Sequence, residues 1–202
     1  MERDALVTLS AASHLSVVFA LAFLSVAAAA AVLALVRCGR LSRRGARLLL
    51  GGMLGVYFAA YLYLAFFYRP PLDRVRTRMT LFWSYREAFS LEGGLHIRRL
   101  GIARSILLNV LFYIPLGAVL PALFRTLPPA SPLARRPFLS AFLLALLLSA
   151  ATEALQLVTR RGLCELDDLL DNGLGAALGL LALRLADGLL RRFFPRSAPD
   201  SR

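Results

Sequence analysis

The amino-acid sequence predicts an all-α, polytopic helical membrane protein of about five transmembrane helices, with its N-terminus outside and its C-terminus inside. Three observations carry that expectation. Of 202 residues, 58% are hydrophobic and only 18% charged, and the mean hydropathy of +0.66 lies well above that of a soluble domain. Four segments hold the roughly 20 apolar residues a helix needs to cross a hydrocarbon core about 30 Å thick, and a fifth comes close. The first short loop is crowded with arginine, which marks it as cytoplasmic.

The first span is expected over Leu15–Val36. The preceding Met1-Glu2-Arg3-Asp4 lacks a positive n-region, and the apolar run is longer than a typical signal-peptide core, so the segment reads as a retained span. The second span covers Leu48–Phe67, the third Ser105–Phe124 and the fourth Phe138–Val158. The fifth, Leu169–Leu190, is weaker, because Asp171, Asn172, Arg184 and Asp187 interrupt it. Arg184 is expected to snorkel towards the headgroups.

Charge sets the topology. The net charge is +12, and all 24 basic residues are arginine. No nucleic-acid motif accompanies this excess, so nucleic acid is not an expected partner. Arginine flanking membrane spans instead records topology and attracts anionic lipid. Arg37, Arg40, Arg43, Arg44 and Arg47 fill the first loop, and counting from it puts Arg125, Arg135 and Arg136 inside as well. The tail with Arg191, Arg192 and Arg196 also falls inside, while the connection Thr159–Asp168 falls outside. The long segment Arg69–Arg104 is outside by the same count, despite eight arginines against Asp73, Glu87 and Glu92. Its run Leu81-Phe82-Trp83-Ser84-Tyr85 reads equally as a partly embedded interfacial segment or as a solvated loop packed on the bundle.

Cys38 and Cys164 stand alone on different loops, without metal-ligand spacing. No disulfide, metal or other cofactor is expected. Gly51-Gly52-Met-Leu-Gly55 and Gly175-Ala-Ala-Leu-Gly179 each contain GxxxG, which lets helix backbones approach closely in lipid. Both are read as packing within the molecule ahead of dimerisation.

A set of polar side chains in the last two spans is the candidate site. A glutamate in a span is expensive, by roughly 2–3 kcal/mol on insertion scales, and defaults to function or partner-pairing. At 100° per residue, Ser149, Glu153, Gln156 and Arg160 fall within an arc of about 60° on the fourth span. Asp168, Asn172, Gly175 and Gly179 share a narrow arc on the fifth. Antiparallel neighbours joined by a short connection present such stripes to each other. One reading is interhelical hydrogen bonding, worth about 0.6 kcal/mol per pair, with Glu153 and Gln156 meeting Asn172 or Asn109. Asp168 also suits a helix N-cap. The other reading is a pocket at the outer end, where Arg160-Arg161 lies opposite Asp167-Asp168. The third span adds Asn109 and then Pro115-Leu-Gly117, where proline is expected to kink the helix.

These residues resemble the VanZ-like membrane family. Asn109-Val-Leu-Phe-Tyr-Ile-Pro115-Leu-Gly117-Ala-Val-Leu-Pro121 matches its first hallmark. The second is matched by Glu153-x-x-Gln156, Arg161, Asp167-Asp168 and Asn172-x-Leu-Gly175-Ala-x-x-Gly179. Phe82-Trp83-Ser84-Tyr85-Arg86 resembles a segment that often precedes them. The likeness runs from about Arg69 to Leu185, giving two N-terminal transmembrane helices over 1–68, a VanZ-like domain over 69–190 and a basic cytoplasmic tail over 191–202. The resemblance implies a bacterial plasma-membrane protein whose founding relative lowers susceptibility to teicoplanin-type glycopeptides without remodelling the peptidoglycan terminus.

The leading functional expectation is non-enzymatic action at the outer leaflet on lipid-linked envelope components or lipophilic glycopeptides. Arg160, Arg161 and Arg86 would meet phosphate or carboxylate groups, and Glu153, Gln156, Asp168 and Asn172 would hold them in place. The alternative is a membrane enzyme acting on a lipid headgroup through Glu153 and Asp168. A small carrier or channel with Glu153 titrating in the membrane is the third reading.

Overall fold

The computed structural model describes residues 2–67, 71–74, 77–90 and 96–193, with side chains from residue 15 onward apart from His96. Arg69, Arg76, Glu92 and the tail with Arg196 lie outside the described residues. Five helices are long and apolar enough to cross a membrane, over Leu15–Arg37, Arg43–Phe67, Ile97–Phe124, Pro137–Thr159 and Leu166–Phe193.

In chain order these spans belong to α1 (Glu2–Arg37), α2 (Arg43–Leu62, ending in a wider π turn over Tyr63–Phe67), α4 (His96–Phe124), α6 (Pro137–Thr159) and α7 (Leu166–Phe193). Two short helices, α3 (Trp83–Phe89) and α5 (Pro132–Arg135), sit in the connections. Two-residue strands β1 (Thr77–Arg78) and β2 (Cys164–Glu165) pair in parallel, Thr77 opposite Cys164 and Arg78 opposite Glu165. The third span starts at Ile97, not Ser105, so Arg98, Arg99 and Arg104 lie on helix and not in the preceding loop. The fifth starts at Leu166, which puts Asp167 and Asp168 inside its first turn and not at a cap. Carboxylates there complement the positive end of the helix dipole.

α4 lies at the centre, packed against α1, α2, α3, α6 and α7. Its tightest partner is α7, for a steric reason. A Cβ on Gly117 would overlap the Ala176 carbonyl oxygen, one on Gly175 that of Val110, and one on Gly179 that of Ile114. Backbone meets backbone along this seam, as small-residue motifs permit in lipid. The second motif is therefore packing within the molecule. The first is not: Gly51, Gly52 and Gly55 are exposed with nothing against them.

Leu143, Leu147, Leu181 and Leu185 project outward, as spans solvated by acyl chains require. α4 runs as one helix through the buried Pro115 and Pro121. Proline loosens the backbone ladder one turn earlier, and there the Phe112 carbonyl accepts the Tyr57 hydroxyl at 2.8 Å.

Both Arg-rich loops and the C-terminal turn of α7 meet at one end of the bundle. Asp187, 3% exposed, accepts from Arg37 after α1, from Arg125 after α4 at 2.9 Å, and from Arg191 one turn further along α7. The segment between α2 and α4 and the connection between α6 and α7 share the opposite end, where the candidate site lies.

Candidate functional site

α6 stops at Arg160, which takes a left-handed conformation at φ 57°. The carbonyl of Gln156 accepts from the N–H groups of both Arg160 and Arg161, closing the helix. The chain turns through Gly162, pairs β2 with β1, and enters α7 at once. This tight return brings the last turns of α6, with Glu153, beside the first turns of α7, which carry Asp167, Asp168, Asp171 and Asn172.

Each carboxylate has a defined task. Asp167, fully buried, accepts the Phe82 N–H at 2.6 Å, the Ser84 N–H at 2.9 Å and the Ser84 hydroxyl at 2.7 Å. Phe82 precedes α3 in a left-handed conformation and supplies no side-chain cap of its own. Asp167 therefore caps α3 from another element. Asp171, one turn along α7, accepts the Tyr85 hydroxyl, while its Oδ2 is buried without a hydrogen-bond partner among the described residues. Burial, followed by the bond to Asp171, raises the Tyr85 pKa. Two adjacent residues of α3 are thus clamped by an i, i+4 carboxylate pair on α7.

Glu153, 8% exposed, accepts the Glu165 N–H at 2.9 Å and so holds β2. Asn109 donates to Asp168 at 2.7 Å, linking α4 to α7. Asn172 donates to Ser149 at 2.8 Å, linking α7 to α6. The two polar stripes do meet at this pair. Gln156 is buried, and its Oε1 has no partner among the described residues. Arg160 is exposed, and its carbonyl accepts the Leu72 N–H at 2.7 Å. The Arg161 guanidinium donates to the Phe66 carbonyl at the end of α2.

A half-open cavity of about 230 Å³ lies between α3, α4 and the start of α7. Glu165, Asp168, Ser84 and Ser105 supply polar groups, Ile102 and Ile106 an apolar wall, and Trp83 and Arg98 further lining. The Trp83 Nε1 donor is buried and faces the Glu165 carboxyl, and Arg78 lies over the Trp83 ring at 3.9 Å. Burial pushes the Glu165 carboxyl up to about 7; nearby Glu153 and Asp167 add to this and Arg78 opposes it. Burial and the same acidic surroundings push the Cys164 thiol up. The arrangement offers carboxylate acceptors for hydroxyl or amine donors beside an apolar surface. Among the described residues no group of three His, Cys, Asp or Glu side chains is placed to hold a metal ion.

Of the residues expected to form the pocket, Asp168 lines this cavity. Glu153 reaches it through the backbone of Glu165, and Asp167 through α3. Arg160 meets Leu72 through its backbone with its side chain exposed, and the Arg161 guanidinium reaches the end of α2. Trp83, Ser84, Arg98, Ser105 and Glu165 were not singled out as site residues by sequence reasoning, although Trp83 and Ser84 lie in the flagged aromatic run. Asp171 is legible as a second carboxylate one turn from Asp167, but in the sequence it reads only as an interruption of the span. Tyr57, Tyr61 and Tyr113 were also missed: Tyr61 bonds Thr152 and Tyr113 at 3.1 Å each, joining α2, α4 and α6.

No curated protein and no solved structure matches the sequence. A family model described as VanZ/LLP1 does match, over residues 54–187. The matched region begins within α2 and so takes in Tyr57, Tyr61 and Phe66, which tie α2 to α4 and to Arg161. It covers about two-thirds of the chain and all of the clamped polar network, and the chain belongs to the VanZ/LLP1 family.

Proposed function

We propose that this VanZ-family membrane protein binds, at the outer leaflet of the bacterial plasma membrane, the headgroup of a lipid-linked cell-envelope component. It does so without catalysis, and through that binding lowers susceptibility to teicoplanin-type glycopeptides. The observation that carries the reading is the cavity beside α3. Glu165 and Asp168 accept hydrogen bonds from sugar hydroxyls or an amine, and the Trp83 ring lines the cavity beside them. Ile102 and Ile106 face the first methylenes of an acyl or prenyl chain. Most remaining carboxylates are engaged in holding α3, β2 and α7, a binding scaffold with little left over for acid–base chemistry. The Arg-rich loops at the opposite end favour the cytoplasmic side, which directs the cavity outward.

The test is deletion of the gene, followed by complementation with the unaltered protein, Glu165→Gln or Asp168→Asn at verified membrane abundance. Levels of lipid-linked envelope intermediates are measured with teicoplanin and vancomycin susceptibility. The expected result is a change on deletion that the unaltered protein reverses and the variants do not. Deletion without effect on either measurement refutes the reading.

A further inference from the structure

The opposite end of the bundle carries its own polar centre. Asp187 is one carboxylate among three guanidiniums, those of Arg37, Arg125 and Arg191. A fourth joins them through an aromatic ring: Arg125 and Arg184 both lie over Phe138, at 4.6 and 4.2 Å from its centroid. Cation–π attraction to one ring thus holds two like charges beside each other. Among the described residues one negative charge faces four positive ones, so the cluster carries a surplus. The surplus is not all solvated: the Arg37 side chain is 12% exposed, and its Nη1 is buried without a hydrogen-bond partner among the described residues.

We propose that this cluster is a binding site for a phosphate group, carried by an anionic phospholipid of the surrounding leaflet. Arg37 ends its span and Arg125 directly follows the end of another, so the guanidiniums stand at headgroup depth. A phosphodiester presents several acceptor oxygens, which suit convergent guanidinium forks better than one carboxylate does. Basic pockets between transmembrane helices recognise headgroups in this way. The site is remote from the cavity beside α3 and does not depend on what that cavity binds.

The experiment uses the full-length protein purified in detergent, with melting followed on addition of phosphatidylglycerol, phosphatidylcholine or inorganic phosphate at matched ionic strength. Phosphatidylglycerol is expected to raise the melting temperature saturably, and phosphatidylcholine is not. Equal protection by inorganic phosphate identifies the free ion as a sufficient source of the bound group; protection by phosphatidylglycerol alone identifies the lipid. Arg37→Gln and Arg125→Gln also break ion pairs to Asp187 and confound binding with folding. Arg184→Gln leaves those pairs intact and is expected to weaken phosphatidylglycerol binding roughly tenfold, the lower end for losing one charge-assisted hydrogen bond. The exposed Arg192→Gln is the control and should bind as the unaltered protein does. No protection by either phosphate source, equal protection by phosphatidylcholine, unchanged binding in Arg184→Gln, or equal loss in Arg192→Gln each overturns the proposal.

Discussion

Asp167 on α7 holds Ser84 on α3 by two bonds to one carboxylate oxygen, from the backbone N–H at 2.9 Å and from the hydroxyl at 2.7 Å. The other oxygen takes the Phe82 N–H. A seven-residue helix is too short to persist alone, so α3 owes its place to this carboxylate and to Asp171. Asp167→Asn keeps the volume but turns one acceptor into a donor aimed at donors. It is expected to destabilise the protein by about 3 kcal/mol, as loss of buried charge-assisted bonds does. Limited proteolysis should then cut between α2 and α4 where the unaltered protein resists. Ser84→Ala removes one bond and should cost about 1 kcal/mol. Equal protease resistance in all three would show that α3 is held by something else.

The seam between α4 and α7 makes a sharper steric prediction. Gly117→Ala, Gly175→Ala and Gly179→Ala each drive a methyl group into a carbonyl oxygen of the facing helix. Overpacking costs about 1–3 kcal/mol where neighbours can yield, and backbone yields least. Each variant should therefore lower the melting temperature in detergent and the membrane abundance. Gly52→Ala has open space around its Cβ and should change neither. A loss in Gly52→Ala as large as in Gly179→Ala would place a second close contact on α2.

The spans were legible because a bilayer demands length and apolarity, and both are written residue by residue. The glycine seam at Gly175 and Gly179 was legible as well, since backbone approach requires the absence of a side chain. The polar site was legible as a location but not as a set of pairings. Helical periodicity put Glu153 and Asn172 on facing stripes, yet it carries no information about segments beyond those helices. α3 is short and its capping group comes from 83 residues away, so no local signal announces it. The same holds for β1 and β2, whose two-residue pairing joins distant loops. Arg160 and Arg161 looked like partners for Asp167 and Asp168 by sequence distance alone. Past the left-handed turn at Arg160, whose own side chain is exposed, the Arg161 guanidinium reaches the Phe66 carbonyl at the end of α2.

Glu165 makes the candidate cavity sensitive to pH. Its carboxyl is raised from 4.5 to about 7, first by burial and then by Glu153 and Asp167. A carboxyl raised on folding favours the protonated native state, so its stabilising contribution is full below about 4.5 and is lost as pH rises through about 7. Melting of the purified protein between pH 4.5 and 8 should show that decline, superimposed on the titration of other groups. Glu165→Gln mimics the protonated form and should flatten the decline over this window. An unchanged profile in Glu165→Gln would assign the dependence to another group.

Cys164 reports on the same corner of the molecule by its reactivity. It is 8% exposed, and burial, reinforced by Glu153, Asp168 and Glu165, pushes its thiol up. Thiolate is the reacting form, so burial and an upward displacement both slow the reaction. In a Cys38→Ser background, Cys164 should therefore react with a maleimide more slowly in the folded protein than after unfolding in denaturant. β1 covers Cys164 by pairing Thr77 against it, and β1 leads directly into α3. Releasing α3 with Asp167→Asn should loosen that cover and speed the modification of Cys164, while leaving Cys38 at the far end unaffected. Rapid labelling of Cys164 in the unaltered protein would mean that the pairing of β1 with β2 does not persist in the membrane.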